Sequence, residues 1–133
     1  MKFIIDNIFL IGIVLVSGGA LIVHTLQRTG AKVTALQATQ IINQGKVLIL
    51  DVRNAADFAL GHIRDAKNIP LKELKTRVSE LEKFKERPVI VVCTKGLQSV
   101  KATAQLKKAG YANAASLLGG LDAWQSQGLP VVK

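Results

Sequence analysis

The sequence contains a single cysteine, which excludes an intramolecular disulfide, and its two histidines stand too far apart to form a zinc-binding pattern. Acidic residues are half as numerous as basic ones, 9 against 18, and the formal net charge is +9. Aromatic residues make up only 5% of the chain, few of them lie between lysines, and no helix has the features of a recognition helix. We therefore expect no metal, no other cofactor and no nucleic-acid partner. The basic balance favours small anionic substrates or an anionic lipid surface.

Formal charge is also absent from Asn7 to Gln27. As an α-helix, this stretch would span about 31 Å, close to the thickness of a bilayer core. We predict that residues 1–28 are a transmembrane helix with its flanks, which attaches the chain to the membrane through residues 7–27. A cleaved signal peptide is the alternative, but no small-x-small cleavage site closes the apolar stretch.

Basic residues are more frequent after this stretch than before it, since Arg28, Lys32 and Lys46 follow it and only Lys2 precedes it. The positive-inside rule then predicts a single-pass protein of the inner (cytoplasmic) membrane whose following domain faces the cytoplasm. A reducing compartment suits a lone thiol. Residues 29–33 are expected to be a short linker that keeps the domain of residues 34–133 near the lipid, where a protein partner at the membrane could bind it.

Short apolar runs alternate with helical patterns along the rest of the chain. Residues 47–50 and 89–92 are continuous apolar runs typical of strands buried on both faces. Leu71, Leu74, Val78 and Leu81 follow a helical spacing between these two runs. Such alternation predicts an α/β fold in which helices cover both faces of an open parallel sheet.

Cys93 stands directly after the apolar run Val89–Val92, and a loop with Gly96 separates it from the next predicted helix. Ligands of open α/β sheets collect outside the carboxyl ends of the strands, where unpaired N–H groups of the following helix favour negative charge. A thiol placed there should ionise readily, and the thiolate is the nucleophilic form. Cys93 is therefore a candidate nucleophile, the alternative being an inert buried cysteine.

The segment Cys93–Gln98 resembles the six-residue active-site loop of rhodanese-like domains. Other landmarks of that family follow in their usual order, at residues 51–53, 58–63, 66–70 and 117–120, and at Trp124 with Pro130. The resemblance covers nearly all of residues 33–132. It implies the rhodanese-like fold and a sulfurtransferase that accepts sulfane sulfur from a small anionic, thiosulfate-type donor as a persulfide on Cys93. The acceptor would be a thiol, or cyanide in an assay.

The resemblance also implies roles for the loop residues that would hold the persulfide, which are Thr94, Lys95, Gly96, Leu97, Gln98 and Ser99. Lys95 resembles the lysine of thiosulfate-using rhodaneses, although it could simply face solvent. Gln98 replaces the arginine that ends the loop in many single-domain members, so the sequence does not decide whether turnover survives. Phosphatase relatives have an arginine where Ser99 stands here, which disfavours phosphoryl transfer.

Asp51 and Arg53 follow a predicted strand and are expected to support the loop, either as pocket residues or as a structural ion pair. His62 is expected to make turn hydrogen bonds rather than to act as a base. The alternative function is a membrane-tethered rhodanese-fold module that binds a protein or senses redox state with little turnover. Redox signalling through a sulfenic acid on Cys93 is a further alternative.

Overall fold

The computed structural model describes the backbone of residues 1–29 and 31–133 and the side chains of residues 1–20 and 31–133. Over these residues, five parallel strands form one sheet in the order β1-β5-β4-β2-β3. The strands are β1 (Ala31–Val33), β2 (Leu48–Asp51), β3 (Lys67–Asn68), β4 (Val89–Val92) and β5 (Ala114–Leu117). Every residue of β2 and β4 is buried, as the continuous apolar runs predict.

Helices cover both faces of this sheet, because alternate residues of β2 and β4 enter two separate apolar clusters. One cluster joins Leu50 and Val91 to α5 (Leu71–Arg77), a following 3-10 helix (Val78–Phe84) and α6 (Leu97–Lys108). The other joins Ile49 and Ile90 to α3 (Ala35–Asn43) and α7 (Gly120–Ser126). The predicted α/β fold with helices on both faces is confirmed.

Side-chain caps begin two of the helices. Thr34 Oγ1 accepts from Gln37 N at 3.1 Å, and Gln37 Oε1 accepts from Thr34 N at 2.9 Å, which completes the capping box at the start of α3. Asn54 Oδ1 accepts from Asp57 N at 2.8 Å at the start of α4 (Ala55–Leu60). These side chains fix where the helices begin after β1 and β2.

Two local expectations differ from the structure. Residues 31–33, expected to belong to a linker, form β1, which pairs with β5. The apolar spacing from Leu71 to Leu81 predicts one α-helix, whereas α5 ends at Arg77 and the chain continues as a 3-10 helix that still buries Leu81. Burial against the sheet therefore continues across a change of helix type, which the apolar spacing alone does not reveal.

The N-terminal region contains α1 (Lys2–Asp6) and α2 (Ile8–Thr29). Within the residues that the structure describes, no helix has both the length and the apolarity needed to cross a bilayer. This finding overturns the predicted single-pass location in the inner membrane with the domain facing the cytoplasm. The predicted span from residue 21 to 27 lies outside the described side chains.

The fold predicts an unequal response to two identical truncations. Leu106 on α6 is fully buried between helix and sheet, whereas Leu36 on α3 is 65% exposed. We expect Leu106→Ala to lower the free energy of unfolding by about 2–5 kcal/mol because it leaves a cavity, and Leu36→Ala to change it by less than about 0.5 kcal/mol. Urea unfolding followed by the fluorescence of Trp124, the only tryptophan, measures both. Equal losses in the two variants would contradict this packing.

Candidate active site around Cys93

Cys93 lies at the carboxyl end of the central strand β4, and its side chain is only 2% exposed. It borders a pocket of about 650 Å³. The pocket walls come from the end of β2, the start of α4, the start of α5 and the loop between β4 and α6. The structure therefore places the thiol where the sequence predicts it, just beyond the carboxyl end of a buried strand.

Two backbone N–H groups of the loop and one hydroxyl surround the sulfur. The N–H of Gly96 lies 2.9 Å from Cys93 Sγ, the N–H of Ser99 lies 3.3 Å from it, and Ser99 Oγ lies 3.4 Å from it. Gly96 has a φ of +96°, a conformation that favours glycine and that turns its N–H back toward the sulfur. Converging N–H donors of this kind stabilise negative charge on an atom at their centre.

The first residues of α7 fix the other side of the same loop. Leu121 N donates to Cys93 O at 2.8 Å, and Asp122 N donates to Thr94 O at 3.0 Å. Gly120 lies against these two carbonyl groups with a φ of +61°. These two bonds hold the start of the loop on α7, directly before the residues whose N–H groups reach the sulfur. The sequence analysis includes these glycines only as a family landmark, and a Gly-Gly pair is a signal that two backbones approach closely.

A pair of buried hydroxyls lies behind the sulfur. Ser99 Oγ is 2.6 Å from Ser116 Oγ of β5 and also donates to Gly96 O at 3.2 Å. Ser99 is fully buried and Ser116 is 1% exposed. Sequence reasoning included Ser99 in the loop but missed Ser116, because a single serine in a short strand carries no motif.

Asp51 and Arg53 form an ion pair beside the pocket. Arg53 Nη2 donates to Asp51 Oδ2 at 2.8 Å, and Arg53 Nε donates to both oxygens of the same carboxylate at 3.0 and 3.1 Å. Arg53 Nη2 also donates to Gly61 O at 2.6 Å, while Asn68 Nδ2 donates to the backbone carbonyls of Asp51 and Arg53. The arrangement ties β2, β3 and the end of α4 together, so this geometry fits a bracing role better than direct substrate binding.

Two lysines from different elements border the pocket. Lys95 belongs to the Cys93 loop and Lys72 to the first turn of α5, with Asp57 of α4 as an opposing charge. Lys72 carries no motif in the sequence, and only the structure places it at the pocket. Thr94, Leu97 and Gln98 also line the pocket; Leu97 is 77% exposed.

His62 does not line the pocket. Its ring stacks on Phe58 with centroids 3.8 Å apart, and its Nδ1 lies 2.8 Å from Phe58 O. These contacts match the turn hydrogen bonding expected of His62. Among the described residues, no group of three His, Cys, Asp or Glu side chains could hold a metal ion.

Residues 34–127 match the family described as the rhodanese-like domain. The chain belongs to the rhodanese-like domain family. Its rhodanese-like domain is similar to a rhodanese-related protein of Thermoplasma volcanium whose crystal structure superposes with a TM-score of 0.70, at 29% identity over 77% of this chain and 97% of that one.

Two curated relatives extend this comparison. The chain is 36% identical to the uncharacterised protein YibN of Escherichia coli K12, over 86% of this chain and 82% of that protein. It is 40% identical to a protein of Allochromatium vinosum named sulfurtransferase, over 65% of this chain and 78% of that protein. The rhodanese-like domain and the sulfurtransferase-named relative together indicate sulfurtransferase activity at the level of the family.

The close contact between α7 and the Cys93 loop predicts that Gly120 tolerates no side chain. A Cβ on Gly120 would overlap Cys93 O and lie 2.6 Å from Thr94 O, at a backbone φ of +61°. We expect Gly120→Ala to lower the free energy of unfolding by about 2–4 kcal/mol, since steric overlap adds to backbone strain. We also expect it to change the rate at which iodoacetamide alkylates Cys93, because the loop must move.

Gly128→Ala is the matched control, because Gly128 has a φ of +75° and, apart from its chain neighbours, no described residue has an atom within 4 Å of the position that an added methyl group would take. It isolates the backbone strain, about 1 kcal/mol, and should leave alkylation unchanged. Equal effects of the two alanines on stability and on alkylation would contradict the close contact at Gly120. Urea unfolding and timed alkylation followed by intact mass give both readings.

Proposed function

We propose that this rhodanese-like domain is a sulfurtransferase that carries sulfane sulfur as a persulfide on Cys93. The observation that supports it most directly is the sulfur of Cys93, with the N–H groups of Gly96 and Ser99 at 2.9 and 3.3 Å, at the border of a pocket of about 650 Å³. An arrangement of N–H donors around one sulfur favours a thiolate, and a thiolate is the form that attacks a sulfur donor.

The proposed reaction has two steps, the first of which loads the cysteine. The Cys93 thiolate attacks the outer sulfur of thiosulfate, a Cys93 S–S bond forms, and the S–S bond of thiosulfate breaks. Sulfite leaves with the electron pair of that bond, and the outer sulfur of the persulfide carries the negative charge. In the second step, a thiolate or cyanide attacks the outer sulfur and Cys93 leaves as a thiolate, which restores the starting state.

The charges around the pocket suit a small anionic donor. Lys72 and Lys95 both border it, whereas its acidic residue is Asp57 and the guanidinium of Arg53 is already paired with Asp51. Gln98 at the end of the loop can donate neutral hydrogen bonds but adds no charge. The positive charge that the loop lacks at Gln98 is therefore supplied to the pocket by Lys72 of α5.

Loading of Cys93 is the first test of the proposal. Purified protein treated with thiosulfate should gain one sulfur, about 32 Da, in its intact mass, and should form thiocyanate when cyanide is added, because the persulfide is a covalent intermediate. Cys93→Ser should show neither result, and it leaves no other thiol in the chain to complicate the reading. Thiocyanate formation that persists at the same rate in Cys93→Ser would refute the mechanism.

A protein that binds thiosulfate poorly and shows neither adduct nor turnover would instead favour the second candidate, a rhodanese-like module that binds a protein or senses redox state. The observation in its favour is Gln98 at the position where many family members have arginine. A negative result with thiosulfate has two explanations: thiosulfate is not the donor, or Cys93 is unreactive. Treatment with a polysulfide, which transfers sulfur without a sulfite leaving group, distinguishes them. A mass gain with polysulfide alone would retain sulfur transfer and reject thiosulfate as the donor.

The two pocket lysines should affect the donor more than the acceptor. We expect Lys72→Gln and Lys95→Gln each to raise the KM for thiosulfate about twofold to fivefold, because each removes one exposed positive charge near the donor, with the effect shrinking at high salt. Lys101→Gln on α6 removes the same charge outside the pocket and serves as the control. Steady-state kinetics at two salt concentrations measure this, and an equal rise in all three variants would show that only net charge matters.

A further inference from the structure

Two buried hydroxyls behind Cys93 have hydrogen bonds whose direction can be worked out by counting donors and acceptors. Ser116 Oγ is 2.6 Å from Ser99 Oγ, and no other hydrogen bond of the Ser116 side chain occurs among the residues that the structure describes. A buried hydroxyl proton without an acceptor costs free energy. The Ser116 hydroxyl therefore donates to Ser99 Oγ, because Ser99 is the acceptor within its reach.

This direction determines where the proton of Ser99 can go. In the structure, the Cys93 thiol donates to Ser99 Oγ at 3.4 Å, and the Ser99 hydroxyl donates its one proton to Gly96 O at 3.2 Å. A sulfur that has lost its proton can only accept, so the Ser99 hydroxyl then has two acceptors to choose from, Gly96 O and Cys93 Sγ. A neutral thiol competes poorly with a carbonyl oxygen for that proton, but a thiolate attracts it strongly. The choice between the two acceptors thus follows the charge on the sulfur.

We propose that Ser116 is a positioning residue that directs the Ser99 hydroxyl to Cys93 Sγ whenever that atom is negatively charged. The proposal extends the proposed function, in which Sγ is anionic twice: before it attacks the donor, and when the outer sulfur passes to the acceptor and Cys93 is released as a thiolate. A hydroxyl that already accepts a hydrogen bond is a stronger donor, so the bond from Ser116 strengthens the bond from Ser99 to the sulfur.

No proton is gained or lost by either serine in this scheme. When the thiol ionises, its proton passes to water in the pocket, and the Ser99 O–H rotates from Gly96 O to the sulfur. When a persulfide forms, the charge moves to the outer sulfur, and the Ser99 O–H returns to Gly96 O. The hydrogen bond from Ser116 to Ser99 is unchanged throughout.

The test compares Ser116→Ala with Thr103→Val in the full chain. Thr103 is a fully buried residue whose hydroxyl donates to the backbone carbonyl of the same serine, Ser99 O, at 2.7 Å, but it does not contact the sulfur. We expect Ser116→Ala to slow alkylation of Cys93 by iodoacetamide about threefold to tenfold at pH 7, since one hydrogen bond is weakened. The difference should disappear at a pH high enough to ionise the thiol fully. Thr103→Val should keep the wild-type pH profile.

The charged residues around Cys93 are the same in both variants, so they do not produce a difference between them. Arg53, Asp57, Lys72 and Lys95 line the pocket, Asp51 is paired with Arg53, and Asp122 binds the loop through its backbone N–H. Superimposable pH profiles of wild type and Ser116→Ala would overturn the proposal. A slowing that persists at high pH, or one that Thr103→Val reproduces, would show a merely structural role and would overturn it as well.

Alkylation involves no sulfur donor, so its result does not depend on whether Cys93 accepts sulfur from thiosulfate. A displaced pH profile in Ser116→Ala together with no persulfide on the wild-type protein would support the role of Ser116 and reject the proposed function. A persulfide on the wild-type protein, together with superimposable pH profiles of wild type and Ser116→Ala, would reject the role of Ser116 and support the proposed function.

Discussion

The geometry of the site depends on one short loop whose two sides are bound differently. Its N–H groups at Gly96 and Ser99 point to the sulfur of Cys93, whereas its carbonyls at Cys93 and Thr94 accept hydrogen bonds from the start of α7. The two sets of bonds belong to successive peptide groups: the carbonyls of Cys93 and Thr94 hold the start of the loop on α7, and the N–H groups that reach the sulfur come from the peptide groups that follow. The charge-stabilising site is therefore a consequence of how α7 packs on the end of β4.

The central position of β4 makes this arrangement rigid. The strand is hydrogen-bonded on both sides, to β2 and to β5, and all four of its residues are buried. A cysteine that follows such a strand cannot shift without disturbing two neighbours. The Asp51–Arg53 pair reinforces the adjacent strand end, where Asn68 connects it to β3.

The sequence predicts the sheet and the nucleophile well because both have local signals. Continuous β-branched residues mark the buried strands, and the position of Cys93 between strand, glycine-containing loop and helix marks the site. The caps at Thr34 and Asn54 are likewise local and are present in the structure. In contrast, Ser116 and Lys72 reach the site through tertiary packing, from elements that are distant in sequence, and no local pattern indicates such positions.

Two N-terminal features differ from what the sequence predicts. An uncharged stretch of the right length predicts a membrane span, but no helix among the described residues meets the requirement for one. The edge strand β1 is missed because three residues are too few for a periodic pattern, and because the pairing with β5 that forms the strand is not local.

Under the proposed function, the depth of Cys93 limits which acceptors can receive the outer sulfur of the persulfide. Since only 2% of Cys93 is exposed and its approach is through a pocket of about 650 Å³, a cysteine on a flat protein surface could not come within bonding distance. A free small thiol could enter, as could a cysteine near the end of a flexible tail or at the tip of a protruding loop. The shape of the pocket opening thus selects acceptor molecules whose thiol extends far enough to reach Cys93.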